Sequence, residues 1–246
     1  MVKHLFVFLA LILSGMFAKA QVKIHSHNDY THQKPFFEAI NNNVFSIEAD
    51  VFVVGDSLMV AHSKKEIKAG NTLEQLYLKQ IKALSGEKEY YTFQLMIDVK
   101  GDWDSTYRLL QKNLKKYQKY FGRQGRNTIV VISGNRPPAN TFHQYFHLFF
   151  DGLPNVSYSQ ENLKKITMIS DNFATYSKWK GVGEISETDK ARLAEPINNA
   201  HQLGKPFRFW GAPDNEACWK LLHELGADII NTDKVTEATN YFKTNS

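Results

Sequence analysis

The feature that most restricts how this chain can fold is a repeated change of period. Short apolar runs rich in β-branched residues alternate with longer segments whose apolar residues recur every three or four positions. The runs at 22–27, 44–54, 91–100, 128–135, 165–170, 206–211 and 227–233 read as strands. Between them, Tyr107, Leu110, Leu114, Tyr117 and Phe121 trace one face of a helix. Leu73, Tyr77, Ile81 and Leu84 do the same, as do Leu193, Ile197 and Ala200. Cys218, Leu221, Leu222 and Leu225 form a last helical face, which Gly226 is suited to cap. Strand then helix, repeated, implies parallel strands joined by crossovers. Seven strands are clear and an eighth is expected near 183–186, which would close a single-domain (β/α)8 TIM barrel, an α/β fold. An open doubly wound sheet fits the same pattern. No G-x-G-x-x-G follows the first strand and no G-x-x-x-x-G-K-[ST] occurs, which counts against a nucleotide site.

Residues 1–20 stand apart. Lys3 and His4 give a basic start, 5–13 is an unbroken apolar run, and Ala18-Lys19-Ala20 has the small-residue spacing of a cleavage site. These features predict a signal peptide cut after Ala20, leaving a barrel domain over 21–246 that is periplasmic or secreted. The run is far shorter than the roughly 20 apolar residues that cross a bilayer, and no later segment is longer, so no transmembrane segment is expected. Removing Lys3 and Lys19 with the leader takes the formal charge from +5 to +3, too small to argue for a nucleic-acid partner. Lys112, Lys115, Lys116 and Lys119 read as a solvated helix face. Cys218 is the only cysteine, so the fold must be held by a packed core rather than by a disulfide.

In a parallel barrel, functional groups collect at the carboxyl ends of the strands. Reading those ends in order gives His25, His27, Asn28 and Asp29; Glu48 and Asp50; Asp98 and Lys100; Trp210; and Asp233. Ser133, Asn135, Ser170 and Asp171 read as turn and cap residues. Glu48 and Asp50 lie two apart on a strand and so point to one side, inside the apolar run Phe45-Ser46-Ile47-Glu48-Ala49-Asp50-Val51-Phe52. Two crowded carboxylates repel unless a cation lies between them. Mg²⁺ or Ca²⁺, held by oxygen ligands with Asp98 as the third, is the simplest remedy. His62 follows a hairpin around Gly55-Asp56. A two-residue turn sets it opposite Ala49, on the wrong face, whereas a bulged three-residue loop sets it beside the acids. With His27 it would form a pair able to take and give protons near neutral pH.

The strings His25-Ser26-His27-Asn28-Asp29-Tyr30, Ser46-Ile47-Glu48-Ala49-Asp50-Val51, Val60-Ala61-His62 and Ile97-Asp98-Val99-Lys100, followed late in the chain by 227–233, resemble the superfamily of phosphatidylinositol-specific phospholipase C-like and glycerophosphodiester phosphodiesterases. The resemblance implies a TIM barrel acting on a small-molecule or lipid phosphodiester. By it, Glu48, Asp50 and Asp98 are metal ligands, and His27 and His62 are catalytic, the first as base and the second as acid. It further implies attack by a substrate hydroxyl to give a cyclic phosphate. Lys100, Asn28 and Trp210 fall to substrate binding, with Asn28 standing where glycerophosphodiesterases usually carry arginine. Two other readings start from the same residues. His25-x-His27 is also how metal-dependent phosphoesterases and amidohydrolases present two ligands to a transition metal; the favoured reading leaves His25 tolerant of substitution and this one does not. A non-catalytic exported binding protein would keep the pocket with Trp210 as a stacking wall.

Overall fold

The computed structural model describes residues 22–85, 91–122 and 128–245. The predicted signal peptide therefore lies outside the described residues. Nine strands form: β1 (Lys23–Ser26), β2 (Ser46–Val54), β3 (Ser57–Val60), β4 (Phe93–Val99), β5 (Thr128–Gly134), β6 (Leu148–Gly152), β7 (Ile166–Asn172), β8 (Phe207–Trp210) and β9 (Ile229–Thr232). Eight are parallel and close on themselves, because β1 pairs with β9 on one side and with β2 on the other. The fold is a TIM barrel, and the open-sheet alternative is excluded. The ninth strand, β3, runs antiparallel to the upper half of β2, from Val51↔Val60 to Val54↔Ser57, and stands outside the ring.

The eighth barrel strand is not where the sequence reading put it. Residues 183–186 lead into helix α6 (Glu187–Gln202), whose first turn Ser186 caps by accepting a hydrogen bond from the Asp189 N–H. Gly181 and Gly183 both hold positive φ there, which no strand adopts. The missing strand is β6, a Phe-rich run of five residues between a 3₁₀ turn and Gly152.

Alternation along each strand divides the interior from the outer layer. Ile47, Ala49, Leu95, Ile97, Val130, Ile132, Phe150, Ile169, Phe207, Phe209 and Ile230 face outward and join the core beneath the helices. Met96, Val131, Met168 and Ile229 face inward and form a separate, fully buried plug. Each such side chain contributes roughly 1.5–3 kcal/mol by leaving water. Two residues further along the same four strands the inward positions are Asp98, Ser133, Ser170 and Asn231. The barrel thus changes from apolar to polar within one pleat, and the site sits on that boundary. On the outside, α3 (Trp103–Tyr117) is capped by Asp102 and buries Trp103, Leu110 and Tyr117, leaving its lysines exposed.

Candidate active site

Register places Asp50 abreast of Asp98, with Glu48 one pleat deeper, abreast of Met96. One oxygen of each acid lies within 4.8 Å of the others, and among the described residues no other group of His, Cys, Asp or Glu could hold a metal ion. Lys100, just past β4, divides the upper pair, with Nζ 3.0 Å from Asp50 Oδ2 and 2.9 Å from Asp98 Oδ2. The opposite oxygens, Asp50 Oδ1 and Asp98 Oδ1, are buried with no hydrogen-bond partner. Buried acceptors without donors are costly, and together they describe a place for a cation. Charge supports the same conclusion, since three carboxylates against one ammonium leave two negative charges, the complement of a divalent ion. A hard, oxygen-only donor set suits Ca²⁺ or Mg²⁺. The residues therefore fit the metal that the resemblance implies.

Electrostatics in the cation-free site follow from this crowding. Burial first, and the charge of Glu48 second, push the Asp50 carboxyl up to about 7 against the pull of Lys100. Asp98 is raised for the same reasons. Burial opposes the charge on Lys100, but its two carboxylates outweigh that and raise its pKa.

Gly134, at the end of β5, packs against the Asp98 carboxylate. Its φ is +68°, and a Cβ there would strike Asp98 Oδ1 and the Val99 backbone. Gly134→Ala is expected to cost about 1–3 kcal/mol in stability and to displace Asp98. Thermal unfolding together with a cation titration checks both effects.

His25 in β1 and His27 just past its end both approach Glu48 but differ in surroundings. His25 is fully buried, its Nε2 2.7 Å from Glu48 Oε2 and 2.6 Å from Arg208 Nη1. Burial, then the Arg208 charge, lower its pKa to about 3 and keep it neutral. His27 lies at the mouth, with Nδ1 2.8 Å from Asp233 Oδ1 and Nε2 3.9 Å from Glu48 Oε1. Burial works against its charged form, but the Asp233 hydrogen bond and the Glu48 charge outweigh it, raising the pKa above 6.5. Asn28, in the left-handed region at φ 47°, sets its amide against His27 Nδ1 and accepts a hydrogen bond from the Tyr30 hydroxyl, which also donates to Asp50 Oδ2.

His62 reaches the site by a route the strand register does not foresee. The hairpin does take the two-residue turn, pairing Val54 with Ser57. The strand then ends at Val60, so the chain leaves the ladder and His62 Nδ1 comes within 3.8 Å of Asp50 Oδ2, with 62% of its side chain exposed. Trp210, at the end of β8, is 43% exposed, and its side chain makes no hydrogen bond or ring contact among the described residues.

Sequence reading missed the group beneath. Arg208 on β8 is buried and donates from Nη2 to Asp151 Oδ2 at 3.0 Å, from Nε to Ser170 Oγ at 3.0 Å and from Nη1 to Asn231 Oδ1 at 3.0 Å. Ser170 and Ser133, read as turn residues, instead donate to Asp151. Asp171 does accept from the neighbouring Asn172 N–H, whereas Asn135 donates to the Gly101 carbonyl past the end of β4. Arg208 also counts against the reading of His25-x-His27 as transition-metal ligands, because a guanidinium 2.6 Å from His25 Nε2 repels a dication at that nitrogen. His25 lies between Glu48 and Arg208, so its substitution is expected to disturb both.

With this geometry in view, comparison with known proteins is informative. The AIM6-like phosphodiesterase domain matches residues 17–91, and the glycerophosphoryl diester phosphodiesterase family matches residues 206–236. A protein of Arthroderma benhamiae named altered inheritance of mitochondria protein 6 homolog is 24% identical over 269 residues, spanning 90% of this chain and 84% of its own length. Altered inheritance of mitochondria protein 6 of Lachancea thermotolerans is 25% identical over 285 residues, spanning 89% of this chain and 65% of its own length. Among solved structures, a glycerophosphodiester phosphodiesterase from Parabacteroides distasonis superposes with a TM-score of 0.64 at 17% identity, over 92% of this chain and 99% of that one. A calcium-dependent phosphoinositol-specific phospholipase C from a Pseudomonas species superposes with a TM-score of 0.57 at 13% identity, over 87% and 89%. At these identities the structures show the fold. Together the matches bear out the resemblance to the phospholipase C-like and glycerophosphodiester phosphodiesterase superfamily.

They also correct one expectation. The relatives are named for mitochondria, and this overturns the assignment of a periplasmic or secreted protein. A basic start, an apolar run and an Ala-x-Ala spacing describe a leader by composition, and composition does not specify a destination. Among the described residues, no helix is long and apolar enough to cross a membrane.

Proposed function

We propose that this protein is a divalent-cation-dependent phosphodiesterase whose Glu48, Asp50 and Asp98 hold Mg²⁺ or Ca²⁺ and whose His27 and His62 move the protons. The observation that carries the reading is the pair of buried, unpartnered oxygens, Asp50 Oδ1 and Asp98 Oδ1, in an acid cluster that His27 Nε2 approaches to 3.9 Å at Glu48 and His62 Nδ1 to 3.8 Å at Asp50.

When bound, the cation supplies positive charge that offsets the charge developing on the phosphoryl oxygens. The chain's own residues do the rest. Asp233 holds His27 by Nδ1, which leaves Nε2 bare to accept the proton of an attacking substrate hydroxyl. His62, exposed on the hairpin, protonates the departing oxygen, so the phosphorus exchanges one P–O bond for another and a cyclic phosphate results. Lys100 offsets charge on a phosphoryl oxygen, Asn28 steadies the His27–Asp233 pair, and Trp210 walls the substrate at the mouth. The decisive assay offers glycerophosphodiesters and phosphoinositides with Mg²⁺, with Ca²⁺ and with chelator, following the products by phosphorus NMR. Turnover that chelator abolishes is expected; turnover indifferent to chelator would refute the cation's role.

Cation binding should depend on pH with a definite sign. Asp50 titrates at about 7 in the cation-free site, so below that pH it carries a proton which a cation must displace. Affinity should weaken as pH falls below this value, by up to about tenfold per pH unit for one proton, and level off above it. Calorimetry at pH 6 in two buffers of different ionisation enthalpy should reveal proton release; its absence would mean that Asp50 is already ionised.

A further inference from the structure

We infer that the Arg208–Asp151 pair beneath the mouth is a positioning device for the cation site, one that commits Glu48 to the cation through Oε1 alone. Its consequence for turnover rests on the phosphodiesterase reading, but its first readout is cation binding itself.

A buried ion pair is by itself weak evidence of a stabilising role. Replacing a buried pair by apolar side chains of similar size is often neutral or stabilising, and the layer just below is already an apolar plug. What the guanidinium does that an apolar residue cannot is bridge. Its planar fork donates through Nη2 to Asp151, through Nε to Ser170, and through Nη1 to Asn231 and toward Glu48 Oε2, the last at 3.3 Å. Glu48 Oε2 is thus engaged by both His25 and Arg208, while Oε1 accepts no hydrogen bond among the described residues and lies 3.9 Å from His27 Nε2. One oxygen is anchored and the other is left for a ligand.

Asp151 completes the device. Ser133 and Ser170 fix it, and its charge cancels that of Arg208. Without that cancellation an unbalanced cation would stand 3.3 Å from Glu48 and compete with the metal for the same carboxylate. With it, Glu48 is oriented and keeps its full negative charge, so the acids above retain the net double charge that a dication balances.

Two variants separate orientation from charge. Asp151→Asn keeps shape but leaves Arg208 uncompensated. The double variant Arg208→Met with Asp151→Leu removes the pair without changing net charge, and thermal unfolding checks that it folds. Titration with Ca²⁺ or Mg²⁺ alone, followed by calorimetry, is expected to show binding weakened about tenfold or more in both. Arg208→Lys, which keeps charge but loses the fork, should not restore it. The inference is overturned if the folded double variant binds either ion with wild-type affinity. Weakened binding in a protein that cleaves no phosphodiester would uphold the positioning role and refute the proposed activity.

Discussion

Glu48→Gln is expected to abolish cation-dependent phosphodiester cleavage, lowering kcat/KM by about a thousandfold or more, since metal assistance is worth several kcal/mol and each 1.36 kcal/mol is tenfold. The substitution keeps the shape of the side chain and removes its charge. It leaves two carboxylates against Lys100, a net charge of minus one where a dication needs two. The neutral amide also presents its NH2 either to Arg208, which can only donate, or to the cation. The loss should therefore appear in cation titrations as well as in turnover. With the deeper acid uncharged, the Asp50 pKa should fall, because the Glu48 charge is its second cause after burial. Retention of wild-type turnover by this variant would remove the cation site from the mechanism.

His27→Ala is expected to lower kcat by about a hundred- to ten-thousandfold, the range for a lost general base or acid, while cation binding stays near wild type. That split distinguishes the residue from the acids it faces. The pH profile gives a second reading. As a base His27 must be uncharged, and its pKa is raised, so the acidic limb of kcat/KM should lie above 6.5. Asp233→Asn removes the charge and weakens the hydrogen bond that raise it, and should shift that limb downward while lowering kcat less than His27→Ala does. An acidic limb unmoved by Asp233→Asn would assign the base to another group.

What could be read from the sequence, and what could not, divides along one physical line. The acids were legible because an E-x-D inside a run of Phe, Ile, Ala and Val places charge where only a partner makes it tolerable. Asp98 was legible because its strand repeats the same pattern, and the register sets it abreast of Asp50 as expected. Arg208 was not, although Phe-Arg-Phe-Trp poses the same problem with opposite sign. Its partner, Asp151, lies on β6, the one barrel strand missed, and a buried cation without a visible anion reads as an outward one. Ser133 and Ser170 were set aside with it, since their role depends on Asp151. His62 shows a different limit: the turn fixes pairing only as far as the ladder runs, and the histidine lies two residues beyond it.

The closure of the ring at β1 and β9 has a consequence for how the site is made. Both imidazoles and all three acids of the candidate site precede residue 99 in the sequence. Yet the guanidinium that anchors Glu48 arrives with residue 208, and the carboxylate that orients His27 lies 206 residues after it. A fragment truncated before β8 would carry the acids and imidazoles of the candidate site and lack both Arg208 and Asp233, the groups that hold Glu48 and His27.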